Sequence, residues 1–437
     1  MNNEEINRYL EYVDTFGIVP GLFNMNCLVN ELYNPLENIK VIHVAGTNGK
    51  GSVSTMIAYM LTALGKKVGI YNSPALVNPY EVIRFGNDDG FRENRVGLSY
   101  ITENDYYRSL DKVICVSKKL NEKDIYPTRF ELETATAFVA IKDKECEYAI
   151  IETGMGGSED ATNVISNPVV TVLTAISMDH MSYLGNTIEE ITKCKCGIIK
   201  ENSEVVVSAS NKVCFQGKVA VAIEEEVNAK NAKVVYSDEN QLKINETDIY
   251  HIGCDYKELD DIVINCGALC QLENVMTAID VINSLEKQGY LNIDKECLRK
   301  GLEAFAWKGR FEIVKSQPLV IADGAHNIAA ANVLKDTIIS AGLKDKIILL
   351  MAVYKDKDYE EILKIMSHVS THIICTDVGN ARALEAKKLA AVAKDMFEIT
   401  EWEENIEKAI VYGEKQASDR NKALLCFGTL AMMKFFK

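Results

Sequence analysis

The feature that most constrains the fold of this chain is a glycine-rich turn set between an apolar run and a helical pattern. Residues 39–45 (IKVIHVA) are a short apolar run, and Gly46, Thr47, Asn48, Gly49, Lys50, Gly51 and Ser52 follow at once. Val53, Met56, Ile57, Met60 and Leu61 then recur at three- and four-residue spacing, which is the signature of a helix. Residues 67–71 (KVGIY) supply a second strand, so the unit reads as strand, turn, helix, strand. Glycines let such a turn bend tightly and approach a polyphosphate, whose charge then meets the amides of the turn and of the helix start. Lys50 is placed to reach the outer phosphates, and the Ser52 hydroxyl to meet phosphate or Mg²⁺. The turn departs from the common G-x-x-x-x-G-K-[ST] form, because Val44 stands at the first glycine position and Gly51 separates Lys50 from Ser52. An ordinary glycine-rich turn is the competing reading, and the order of strand, turn and helix argues against it.

The same rhythm continues. Residues 130–142 read as a helix, 148–152 (YAIIE) as a buried strand ending in a carboxylate, 169–176 and 204–208 as further strands, and 187–194 as a helix. Continuous apolar strands alternating with helices predict a parallel sheet covered on both faces. Residues 236–266 are polar and alternating, which fits antiparallel strands; residues 271–287 and 295–304 then read as helices. Trp307, Lys308, Gly309 and Arg310 form a hinge, after which strands near 319–322, 346–353, 372–376 and 423–427 alternate with helices. The predicted domains are 1–306, a P-loop mononucleotide-binding parallel-sheet domain, and 309–437, a smaller Rossmann-like α/β domain.

Composition excludes several classes. A chain of 437 residues exceeds what one core supports. Its net charge of −15 disfavours nucleic acid or an anionic membrane as a partner. The polar, acidic start (MNNEEINRYLEYV) does not read as a signal peptide, and no apolar run reaches the ~20 residues of a membrane span. The 12 cysteines are scattered, so free thiols in the cytoplasm are expected. Cys194 and Cys196 lack a second pair at zinc spacing.

Three strand ends converge on the phosphate edge of such a sheet. Ser73 follows one strand, Glu152 ends another beside Thr153-Gly154-Met155-Gly156-Gly157, and His180 follows a third. Oxygen ligands there suit Mg²⁺, whereas a histidine ligand is unusual for that ion. Taken singly, each has a plain alternative as a helix cap, a turn former or an ion-pair partner.

The turn A-G-T-N-G-K-G-S (45–52) resembles the ATP loop of the Mur ligase superfamily, in its folylpolyglutamate/dihydrofolate synthase branch. Residues 150–165 (IIETGMGGSEDATNVI) look like a second signature of that branch, and Asp179-His180, Leu184-Gly185-Asn186-Thr187 and 195–200 (KCGIIK) look like a third. Gln271-Leu272-Glu273-Asn274, Gly309-Arg310-Phe311-Glu312 and Asp323-Gly324-Ala325-His326-Asn327 resemble its H-Q-x-x-N, G-R-F-E and D-G-A-H-N-P motifs. The resemblance implies a Mur ligase-like fold and an ATP-dependent ligase that adds L-glutamate to a folate or dihydropteroate through an acyl phosphate. It implies that Thr47, Asn48, Gly49, Lys50, Gly51 and Ser52 hold ATP, that Asn274 contacts adenine, Arg310 the phosphates and Asp323 the ribose. It implies Mg²⁺ at Ser73, Glu152 and His180, with Lys195 as a lysine carboxylated by CO₂. His326 is implied to lie near the reacting carboxylate or amine. Gly156, Gly157 and Asp160 are implied at the acceptor, Arg382 at a substrate carboxylate, and the chain as a monomer. A carbamate makes chemical sense, since an ammonium cannot bind Mg²⁺ but an anionic oxygen can. Lys195 as a plain cationic contact to phosphate is the alternative.

The chain also departs from the branch. S-P-H-L reads Ser73-Pro74-Ala75-Leu76; E-R-I reads Glu81-Val82-Ile83 with Arg84 displaced; G-G-R-L-D reads Gly157-Ser158-Glu159-Asp160; Cys270 and Ile328 replace a His and a Pro. Three hypotheses follow: a folate ligase, a superfamily ligase acting on a non-folate carboxylate, and a nucleotide-binding protein without catalysis. Retention of Lys50, Glu152, His180, Lys195, Arg310 and His326 argues against the third.

Overall fold

Why the turn sits where it does follows from the sheet around it. The computed structural model describes residues 3–17, 21–75, 78–87 and 96–436; Met1, Asn2 and Leu76 of the motifs above lie outside this set. Two compact units form: residues 1–241 with 273–305, and residues 242–272 with 306–437.

The first unit holds an eight-stranded sheet. Its order is Leu98–Tyr100, Ile83–Gly86, Val68–Tyr71, Tyr148–Glu152, Lys40–Ala45, Val170–Leu173, Glu204–Val207 and Lys233–Tyr236. Strand Lys40–Ala45 is central and runs parallel to both neighbours, pairing Val44 with Glu152 and with Val172. The parallel sheet expected from the apolar runs is present. It is extended at one edge by two strands that run antiparallel, Ile83–Gly86 and Leu98–Tyr100. Helix Lys50–Ala63 leaves the central strand and is buried from Ser52 through Thr62. A helix enclosed on all sides needs no polar face, which is why its apolar and small polar residues run together. Two cores lie side by side on one sheet face, one containing Leu110, Leu132, Phe138 and Ile151 and the other Leu173, Ile191, Ile198 and Val207, because the register sets Ile151, Ala45, Leu173 and Val207 on the same side.

Helix Ile188–Cys196 starts at a capping box. Thr187 Oγ1 accepts from the Glu190 amide at 3.2 Å, and Glu190 Oε2 accepts from the Thr187 amide at 3.1 Å. Such a box fixes where a helix begins and contributes about 1 kcal/mol. Here it sets the position of Lys195 in the last turn.

The second unit holds a six-stranded sheet ordered Glu312–Ser316, Leu319–Ala322, Ala423–Phe427, Ile347–Met351, His372–Asp377 and Ile399–Asn405. Only the first pair is antiparallel. A separate antiparallel sheet, Leu242–Thr247, Ile252–Tyr256 and Leu259–Ile264, belongs to this unit too. Residues 242–272, expected in the first domain, fall in the second unit. In the structure Ala268 is buried in the second unit's core, with Ile249, Cys266 and Cys270 packed against it, so their apolar area is removed from water there. The division falls in the first turn of helix Cys270–Lys287.

Candidate active site

The turn after strand Lys40–Ala45 is pinned before any ligand arrives. The amides of Thr47 and Asn48 both donate to Ala175 O, at 2.9 and 3.1 Å. Thr47 Oγ1 donates to Ser177 O and accepts from the Ser177 amide, both at 3.0 Å. Asn211, buried and unremarked in the sequence, braces this neighbouring loop: its Oδ1 accepts from the Ile176 amide at 2.8 Å and its Nδ2 donates to Thr174 O at 3.0 Å. The Thr47 and Asn48 amides are thus part of the scaffold. The first intrahelical bond is Val53 N–H to Gly49 O at 2.9 Å, so the amides of Lys50, Gly51 and Ser52 lie ahead of the helical ladder, where an anion is favoured. Gly49 has φ 89°, and a Cβ there would lie 2.4 Å from Asn274 Oδ1. Glycine is needed at that point on both counts, and Asn274 is set against the turn.

Two lysines converge on the same turn. Lys50 Nζ donates to Gly46 O at 3.2 Å and to Thr47 O at 3.3 Å, and lies 4.0 Å from Glu152 Oε1. Lys195, which is 3% exposed, donates its Nζ to Gly46 O at 2.9 Å. Burial, and next the Lys50 charge, lower its pKa from 10.5 to about 7, because both disfavour a second ammonium. An amine held half neutral at neutral pH is a nucleophile, which an ordinary lysine is not.

Glu152 is buried at its strand end, where Oε2 accepts from Asn72 Nδ2 at 2.7 Å. Ser73, the next residue after Asn72, has a hydroxyl buried with no hydrogen-bond partner, and an orphaned hydroxyl of this kind fits a ligand role. His180 adopts a left-handed φ of 51°; its amide donates to Asp179 Oδ1 at 2.9 Å, and its Nε2 is 3.9 Å from Asp179 Oδ2. The described residues contain no group of three or more His, Cys, Asp or Glu that could hold a metal. One carboxylate plus a hydroxyl fits Mg²⁺, which keeps waters and shares phosphate oxygens rather than filling an all-protein cage.

Other expected residues have structural work. Asp160, expected at the acceptor, turns both oxygens into its own loop: Oδ2 accepts from the Met155 amide at 2.9 Å, and Oδ1 from the Thr162 amide at 3.0 Å and from Thr162 Oγ1 at 2.6 Å. Its burial raises its pKa. Gly156 and Gly157 pack on helix Ile188–Cys196; a Cβ on Gly157 would lie 2.6 Å from Lys195 O. Ser158 packs there as well, while Ala75 and Glu159 are exposed. His43, buried on the central strand, reaches Thr162 Oγ1 at 2.8 Å, and desolvation lowers its pKa to about 3. The Thr162 hydroxyl donates to Asp160, so His43 Nε2 is the donor and the ring is neutral.

In the second unit, Asp323 directly follows strand Leu319–Ala322. Its oxygens accept from the amides of Phe311 at 2.8 Å and Ala325 at 2.7 Å. Burial raises its pKa, and the Arg310 charge opposes that shift. A Cβ on Gly324 would lie 2.8 Å from Arg310 Nη1, so the glycine makes room for the guanidinium. His326 Nδ1 donates to Gly324 O at 2.8 Å, which fixes the tautomer and leaves Nε2 as the basic nitrogen of the neutral ring. Arg310, Asp323 and His326 are therefore brought together. Arg382 is on the surface, stacked 4.4 Å over the Tyr354 ring.

Comparison with known proteins places this geometry in a family. Residues 99–282 match the Mur ligase middle domain, and residues 309–430 the Mur ligase glutamate ligase domain. The dihydrofolate synthase/folylpolyglutamate synthase of Bacillus subtilis (strain 168) is 31% identical over 428 residues, covering 95% of this chain and 94% of that protein. Mycobacterium tuberculosis folylpolyglutamate synthase complexed with ADP has a TM-score of 0.85 and 26% identity, over 98% of this chain and 96% of that one. A bifunctional folylpolyglutamate synthase/dihydrofolate synthase with Mn, AMPPNP and L-glutamate bound has a TM-score of 0.80 and 25% identity, over 98% of this chain and 96% of that one. On a relative 31% identical over nearly the whole of both chains and on two Mur ligase domain matches, this chain belongs to the dihydrofolate synthase/folylpolyglutamate synthase family of Mur-type ligases.

Proposed function

We propose that the chain adds L-glutamate to the carboxylate of a folate or dihydropteroate, at the expense of ATP. The observation that carries this reading is the meeting of Lys50, Lys195 and Glu152 at the glycine turn: Lys50 Nζ is 4.0 Å from Glu152 and both amines bond Gly46 O. A triphosphate lies along the helix start, with the amides of residues 50–52 and the Lys50 ammonium on its phosphates. Ser73, Glu152 and His180 hold Mg²⁺, which neutralises charge on the phosphates when bound. Lys195 gives up a proton readily; its neutral Nζ then forms a bond to the carbon of CO₂ and releases a second proton to solvent, and the resulting anionic carbamate would offer an oxygen to the metal. In the second unit, the Arg310 guanidinium offsets charge developing in phosphoryl transfer. His326 takes the proton that the incoming amine loses, and Arg382 holds a substrate carboxylate.

The reaction balances in two steps. An acceptor carboxylate oxygen attacks the γ-phosphorus and ADP leaves. The glutamate nitrogen then attacks the acyl carbon, loses a proton and expels phosphate. The residues supply positioning and charge neutralisation rather than covalent bonds.

The test measures phosphate release from Mg-ATP with glutamate plus dihydropteroate, and separately plus tetrahydrofolate. Release that requires both glutamate and one of these acceptors is expected. A folded protein that releases phosphate with neither acceptor refutes the folate assignment.

A further inference from the structure

We infer that Asn72 and Arg84 are a positioning pair that decides which oxygen of Glu152 meets the cation. Neither was expected at the site. Asn72 Nδ2 donates to Glu152 Oε2 at 2.7 Å; Arg84 Nη2 donates to Asn72 Oδ1 at 2.7 Å and to Thr55 Oγ1 at 2.8 Å. All four residues are buried. The contact is made by the sheet: Arg84 lies on the antiparallel strand Ile83–Gly86, paired with Ile70, two residues before Asn72. Thr55 lies on the helix that follows the phosphate turn.

The chemistry admits one arrangement. A guanidinium has donors and no acceptor, so it must face the carbonyl end of the Asn72 amide. The NH₂ end must then face Glu152. Rotating the amide would set two donors against each other and a carbonyl against a carboxylate, in a site where unpaired polar atoms are costly. Oε2 is thereby committed to Asn72, and Oε1 is the oxygen on the Lys50 side, 4.0 Å from its Nζ. A direct arginine–glutamate fork would have used both oxygens. The intervening neutral amide uses one, and balances the carboxylate's charge from a distance. Burial lowers the Arg84 pKa to about 10, which leaves it cationic at neutral pH.

This inference rests on the reading that Glu152 holds the metal, and the experiment separates the two. Mn²⁺ is titrated into the full chain saturated with AMPPNP, and the bound fraction is read from its electron paramagnetic resonance signal. ADP affinity is measured beside it in EDTA. Glu152→Gln must weaken Mn²⁺ binding; if it does not, the metal reading itself fails and the pair loses its purpose. Asn72→Ala is expected to weaken Mn²⁺ by about tenfold or more, the range seen when a residue orienting a metal ligand is lost, with metal-free ADP affinity within about twofold. If Asn72→Ala does not fold, Asn72→Ser, too short to bridge Arg84 and Glu152, is judged by the same criteria. Unchanged Mn²⁺ affinity in a folded variant, with Glu152→Gln impaired, overturns the pair alone. Parallel loss of metal-free ADP affinity overturns it too, since that marks general damage.

Discussion

Burying Lys195 has a cost that depends on pH in a calculable way. Its folded pKa is about 7 against an ordinary 10.5. Between these values the unfolded chain carries one more proton than the folded chain, so stability rises with pH across that window. At pH 7 the penalty is about 4 kcal/mol, and at pH 9 it has fallen to about 2 kcal/mol, at 1.36 kcal/mol per pKa unit. Lys195→Met removes the titrating group. It also leaves Gly46 O without the 2.9 Å donor, an offset that does not vary with pH. The slopes, not the absolute stabilities, therefore carry the test. Urea unfolding of both proteins in CO₂-depleted buffer, at pH 7, 8 and 9, should show the wild type gaining about 2 kcal/mol relative to Lys195→Met over this range. Bicarbonate at pH 8 should then stabilise the wild type and leave the variant unmoved, because only a neutral amine adds CO₂. Parallel pH profiles for the two proteins would refute the claim that this amine is held near neutrality.

Further consequences follow from the same geometry. Asp160→Ala should lower stability by about 1–3 kcal/mol, since the Met155 and Thr162 amides lose their acceptor; at a permissive temperature its KM for the acceptor should stay within about twofold of wild type, and a selective KM rise with an unchanged melting temperature would restore Asp160 to the substrate. Gly49→Ala forces a side chain into a left-handed turn and onto Asn274, so calorimetric ATP affinity should fall by at least about tenfold, the equivalent of 1.4 kcal/mol; unchanged affinity would refute the close-approach argument. Arg382→Ala, on the surface over Tyr354, should change melting by no more than about 0.5 kcal/mol while raising the KM of a carboxylate substrate several-fold; an unchanged KM removes that role.

Local features were the legible ones. The turn, its helix and the strand-end Glu152 could be placed because each is announced within a dozen residues by glycine spacing and apolar periodicity. The antiparallel character of residues 242–264 was readable from alternation, but their allegiance to the second unit was not, because it depends on which core buries Ala268. The strand Ile399–Asn405 escaped notice: its sequence ITEWEEN is mostly polar, as an edge strand permits. Arg84 looked like a motif arginine out of place. Its bond to Asn72 exists only because an antiparallel strand brings it alongside, and a one-residue slip would have turned it to the other face. His43 sits between the apolar residues Ile42 and Val44 of its strand, and its partner Thr162 is distant in sequence. A polar residue in such a run was the one available hint.

The most direct measurement is a crystal structure of the full chain with Mg²⁺ and a non-hydrolysable ATP analogue. The phosphates are expected against the amides of Lys50, Gly51 and Ser52, and the metal within reach of Ser73, Glu152 Oε1 and His180. A nucleotide bound elsewhere, or a metal that ignores Glu152, would contradict this reading.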